Sequence, residues 1–118
     1  MGYPFLQEPS TLGVLVAAAL NGAKRGVLDG AGLLTDGAAT EMQRRTEELV
    51  AVAEANFEHA VFCAWGCGAF RLPAVQVAGF FKDALRGSSL RSVTLAILEN
   101  HHSAGIDVTG IFKSVFRD

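Results

Sequence analysis

Three short apolar runs alternate along the chain with three longer stretches in which apolar residues recur every three or four positions. The first run, Gly13 to Leu20, is bounded by Pro9 and by Asn21-Gly22 and reads as a buried strand; a buried helix is the rival, since Ala17, Ala18 and Ala19 favour one. Thr35 or Asp36 can then cap a helix to about Asn56, in which Met42, Leu49, Val50, Ala53 and Phe57 fall at helical spacing. Ala60 to Trp65, part β-branched and part aromatic, predicts a second strand that stops at Gly66. Pro73 suits the first turn of a second helix carrying Val77, Ala78, Phe81 and Leu85, with Gly87 placed to end it. Ser92 to Leu98 predicts a third strand. Asp107 can cap a closing helix whose Val108, Ile111, Phe112, Val115 and Phe116 form one apolar stripe.

Strand runs that are apolar on both faces and alternate with helices predict an α/β fold with a mostly parallel sheet covered by helices. In such sheets ligands bind outside the carboxyl ends of the strands, which here means the loops after Leu20, Trp65 and Leu98. The 118 residues, half of them hydrophobic, suffice for one module over 1–118 that buries about 65% of its unfolded surface. No repeat or low-complexity linker divides it.

Charge narrows the partners. Ten Lys and Arg face twelve Asp and Glu, for a formal charge of -2, and no basic stripe is present to neutralise a phosphate backbone, so duplex nucleic acid is not expected. Glu41 with Arg45 and Arg44 with Glu48 stand four apart and describe a solvated helix face; such pairs are worth about 0.2 to 0.5 kcal/mol each. His59 reads as a surface residue. The uncharged stretch Pro9 to Ala23 is too short and too polar to span a bilayer, and no basic residue precedes it as a secretion signal would require. Leu6 stands where a myristoylation signal wants Ser or Thr. Two cysteines, Cys63 and Cys67, cannot staple a chain of this size, and a reducing cytoplasm fits them best.

The segment Trp65-Gly66-Cys67-Gly68-Ala69-Phe70-Arg71-Leu72-Pro73 leaves a strand and enters a helix. Two glycines allow close backbone approach, free amides and the helix dipole favour an anion, and Phe70 can cover a ribose or base. The plain reading of a bare G-x-G is a tight strand-to-helix turn. A second reading makes Cys67 a nucleophile, deprotonated by the helix N-terminus and served by His101 or His102, although its glycines flank it directly rather than at nucleophile-elbow spacing. A metal site from Cys63, Cys67, His101 and His102 is not expected: C-x3-C followed by adjacent, diverging histidines is not a usual ligand set. No cofactor motif is present.

At Cys63-Ala64-Trp65-Gly66-Cys67-Gly68-Ala69-Phe70 the chain resembles the microbial-type poly(ADP-ribose) glycohydrolase family, a branch of the macrodomain fold. Val16 to Asn21, Gly32 to Asp36, the helix around Arg44 to Ala53, Val77-Ala78 with Phe80-Phe81, and Val93 to Leu98 are similar too. The resemblance implies a three-layer, macrodomain-like sheet in which the loop cradles the diphosphate and distal ribose of ADP-ribose. Gly66, Cys67, Gly68, Ala69 and Phe70 would then supply amides and a stacking ring, with Asn21 near them. Ala69 departs from the usual Val, Cys63 from the usual Gly, and Leu72-Pro73 from a more polar continuation.

The family's catalytic segment, a glycine run followed by Gln-Glu-Glu, does not occur here, and Gln7-Glu8 lacks both the glycines and the distance to the first strand. The resemblance thus implies the C-terminal half of the family domain, binding ADP-ribose or an ADP-ribosylated protein without hydrolysing it, because no carboxylate remains for acid-base chemistry at the anomeric carbon. In macrodomains a strand of the other half lies between the strands that Gly13 to Leu20 and Ala60 to Trp65 resemble. Two open edges are therefore expected, to be closed by a homodimer or by a complementing N-terminal half.

Overall fold

The computed structural model describes residues 4–98 and 106–117. Helix α1, Asp36–Asn56, begins where its sequence supplies a cap: Thr35 Oγ1 accepts the Ala38 N–H at 3.4 Å and donates to Gly26 O at 2.7 Å. Its inward stripe is Ala38, Met42, Thr46, Val50 and Ala53. Thr46 is the polar member, fully buried, and its hydroxyl is satisfied by Met42 O at 2.8 Å. The opposite face carries the expected ion pairs, with Glu41 bonded to both Arg44 and Arg45 and Arg44 also bonded to Glu48.

Strands β1, His59–Phe62, and β2, Ser92–Leu95, pair in parallel, with His59 opposite Ser92 and Phe62 opposite Leu95. Helix α2, Ala74–Leu85, makes the crossover between them, and α3, Val108–Arg117, packs on α2. Val77, Ala78 and Phe81 of α2 are wholly buried and lie at the centre of the single core cluster. Phe81 meets the rings of Phe62 and Trp65 at centroid distances of 5.4 and 6.5 Å. Phe112 is the most buried side chain of α3, and Lys82 Nζ ties that helix to α2 by donating to Val115 O at 2.9 Å.

Both strands are shorter than their apolar runs. β1 ends at Phe62 because the chain turns at once, Trp65 N–H donating to Cys63 O at 2.8 Å. Beyond β2 the ladder keeps one bond, from Ala96 N–H to Phe62 O at 2.8 Å. His59 has a structural role that the sequence reading missed, since its Nδ1 lies 2.7 Å from Ser92 Oγ across the two strands.

The larger correction concerns Gly13 to Leu20, which forms neither strand nor helix. Its backbone makes no hydrogen bond to another backbone group among the described residues, and Leu12, Val14 and Val16 are 81%, 73% and 95% exposed. A strand is defined by its partner, and none lies beside this segment. The sheet among the described residues has two strands.

Candidate functional site

The loop after β1 is built by four internal hydrogen bonds. Trp65 N–H donates to Cys63 O, Cys67 N–H to Ala64 O at 3.0 Å, Arg71 N–H to Gly68 O at 2.9 Å and Leu72 N–H to Gly66 O at 2.9 Å. Gly66 sits at φ 80°, and a Cβ there would stand 2.5 Å from Leu72 Cδ1 and 3.0 Å from Ala19 Cβ, so the position admits only glycine. Leu72 is buried under this turn and leads into Pro73, which caps α2 without a side-chain hydrogen bond.

The amides left over define what the loop can do. Gly66, Gly68, Ala69 and Phe70 donate to no acceptor among the described residues, whereas Cys67 N–H is used within the loop. Gly68, Ala69 and Phe70 are exposed, and no atom lies within 4 Å of the position a Cβ would take at Gly68. Backbone amides left without acceptors ahead of a helix N-terminus are able to donate to an anion such as a diphosphate. Phe70, partly exposed beside it, offers an apolar face.

Asn21 adjoins this loop through its neighbour. Gly22 N–H donates to Phe70 O at 2.7 Å, and a Cβ at Gly22 would stand 2.4 Å from that same oxygen. Asn21 Oδ1 is occupied by Ala23 N–H at 2.9 Å, which holds the turn and leaves the side-chain amide to donate. Sequence reasoning missed Gly22 as the contact and missed Arg71, which adopts a left-handed backbone at φ 60° that nothing in its residue type announces. Gln76 Oε1 on α2 accepts Leu34 N–H at 2.9 Å, anchoring the preceding 27–34 turn to the same helix start.

Cys67 does not have the protonation behaviour of a nucleophile. Its thiol is half-buried, with Sγ 3.8 Å from Trp65 O, and burial, with a smaller contribution from Cys63, pushes it up to about 12. An activated thiolate requires the opposite shift. His101 and His102 lie outside the described residues, so their pairing with Cys67 is not part of the geometry. No group of three or more His, Cys, Asp and Glu gathers among the described residues in a form that could hold a metal ion.

A roomy cleft lies elsewhere. It encloses about 900 Å³ between the 11–17 segment, α1 and β1, and its lining does not include Gly66 to Phe70. The loop thus lies apart from the cleft, which flanks the edge of β1.

A parallel β1-α2-β2 unit with a turn of unpaired amides at the carboxyl end of β1 defines a small α/β architecture. No family model and no curated protein matches the chain. Among solved structures it is similar to the crystal structure of poly(ADP-ribose) glycohydrolase from Deinococcus radiodurans in complex with ADP-ribose, at 26% identity and a TM-score of 0.51. The match covers 77% of this chain and 48% of that one, so the chain spans about half the length of the glycohydrolase. The fold is poly(ADP-ribose) glycohydrolase-like.

Proposed function

We propose that this chain is an ADP-ribose-binding module, a macrodomain-like unit corresponding to the C-terminal half of a microbial-type poly(ADP-ribose) glycohydrolase. The observation that carries the reading is the set of free amides at Gly66, Gly68, Ala69 and Phe70, held open by the internal bonds of the loop. They would receive the diphosphate, Phe70 would cover the distal ribose, and Asn21 would donate from the adjoining turn. The similarity to a glycohydrolase in complex with ADP-ribose supports this ligand. Residues 1–118 contain no glycine run followed by Gln-Glu-Glu, so this chain by itself binds without cleaving. Its partner would be free ADP-ribose or an ADP-ribosylated protein.

The affinity is set by what the loop can supply. Binding at 1 μM takes about 8 kcal/mol, and one amide shelf with a helix dipole worth about 0.3 to 1 kcal/mol provides part of it, so the affinity is weaker than micromolar. Calorimetric titration with ADP-ribose, AMP and ribose 5-phosphate tests the assignment. Saturable heat with ADP-ribose and little with either fragment is expected, and no release of ADP-ribose from poly(ADP-ribosyl)ated protein. Absence of heat from folded protein at high ligand concentration would remove the reading and leave a module without a ligand.

A further inference from the structure

Arg71 holds a left-handed backbone, at φ 60°, that no other non-glycine residue adopts among the described residues. Gly or Asn takes this conformation at lower cost than a long side chain does. The contacts on both sides nevertheless fix it. Phe70 O before it accepts Gly22 N–H at 2.7 Å, its own N–H donates to Gly68 O at 2.9 Å, and buried Leu72 after it donates to Gly66 O at 2.9 Å. A conformation held against its own cost from both sides points to a use for the side chain it carries.

The charge around Arg71 is uncommitted. Arg44, Arg45, Arg86 and Arg91 each meet a carboxylate, and Lys82 donates to Val115 O. Lys24, Arg25 and Arg71 are exposed, and their side chains meet no acidic group among the described residues. Lys24 N–H donates to Asn21 O at 3.0 Å, so Lys24 and Arg25 belong to the turn that Gly22 clamps to Phe70. A Cβ at Gly22 would stand 3.4 Å from the carbonyl carbon of Arg71, which shows how closely the two turns meet. A chain of formal charge -2 thus carries three unpaired cations on two adjoining turns, next to the free amides of Gly68, Ala69 and Phe70.

Amides alone accept many kinds of oxygen. A guanidinium adds a planar fork that matches two oxygens of one phosphate, and its bonds to an anion are roughly twice as strong as neutral ones. Resting on the reading of this loop as a diphosphate site, we propose that Arg71 is a ligand-binding residue whose guanidinium grips the diphosphate held by the amides. Lys24 and Arg25 act at longer range, drawing the anion to the loop through a screened field.

Calorimetric titration of ADP-ribose into wild type, Arg71→Asn, Arg71→Lys and the double variant Lys24→Gln with Arg25→Gln tests this, with denaturant unfolding of each protein alongside. Arg71→Asn should bind at least about tenfold more weakly, with Arg71→Lys between it and wild type, because Lys keeps the charge and loses the fork. The unfolding midpoint of Arg71→Asn should equal or exceed that of wild type, since Asn tolerates the left-handed backbone. The double variant should weaken binding at low salt and flatten its dependence on salt. Wild-type affinity in Arg71→Asn would overturn the inference and leave the loop standing as a diphosphate site, whereas no binding in folded wild type would remove both. Loss of binding together with a lowered unfolding midpoint in Arg71→Asn would also overturn it, by placing Arg71 in the fold and not in the site.

Discussion

Gly66 and Gly68 stand two residues apart and serve opposite purposes. Gly66 holds a left-handed turn against Leu72 and Ala19, whereas Gly68 faces open space. Gly66→Ala should therefore cost about 2 kcal/mol or more in denaturant unfolding, from a left-handed penalty of about 1 to 2 kcal/mol plus the clash with Leu72, while Gly68→Ala stays within about 0.5 kcal/mol of wild type. Cys67 sets a second test. With its thiol pushed up to about 12 by burial, it should resist iodoacetamide at mildly alkaline pH while exposed Cys63 is alkylated, as peptide mass mapping would show. The folded chain keeps the Cys67 proton longer than the unfolded chain does. Stability attributable to it is thus present below the ordinary thiol range and falls as pH climbs from about 9 toward 12.

Among the elements, α1 depends on its cap and on its charged face in separable ways. Thr35→Ala removes the acceptor for Ala38 N–H and the bond to Gly26 O, and should cost about 1 kcal/mol in thermal or denaturant unfolding. Glu41 is held down to about 2 by its hydrogen bonds to Arg44 and Arg45. Its contribution is in force above the ordinary carboxylate range and is lost as pH falls toward 2, so an acid titration of the unfolding midpoint should be shallower in Glu41→Gln than in wild type. The three helices were legible because their apolar residues mark a face, and Thr35 and Asp107 mark two of their starts. Gly13 to Leu20 was not legible, since an apolar run reveals a preference for burial and leaves open whether a neighbour is there to pair with it. The strand ends at Phe62 and Leu95 were overrun for a related reason. Trp65 and Ile97 are apolar because they pack on the core, Trp65 against Phe81, and not because they continue the ladder.

For the whole molecule, one core joins all three helices to the two strands, with a cleft of about 900 Å³ beside β1. The turn at residues 66–70 was legible, because glycines between a strand and a helix imply a tight backbone connection. The clamp from Gly22 to Phe70 and the left-handed Arg71 were not, since both depend on how two distant turns meet.

Whether this shelf binds the diphosphate of ADP-ribose is decided most simply by Gly68→Glu. A side chain at that position meets no neighbour, so the fold is kept, yet its carboxylate would stand where the diphosphate is expected. Calorimetric titration of ADP-ribose into wild type and variant, both shown folded by circular dichroism, should give saturable binding in the first and none in the second. Equal binding in both would place the ligand elsewhere on the molecule, and no binding in folded wild type would show that the shelf takes no ADP-ribose.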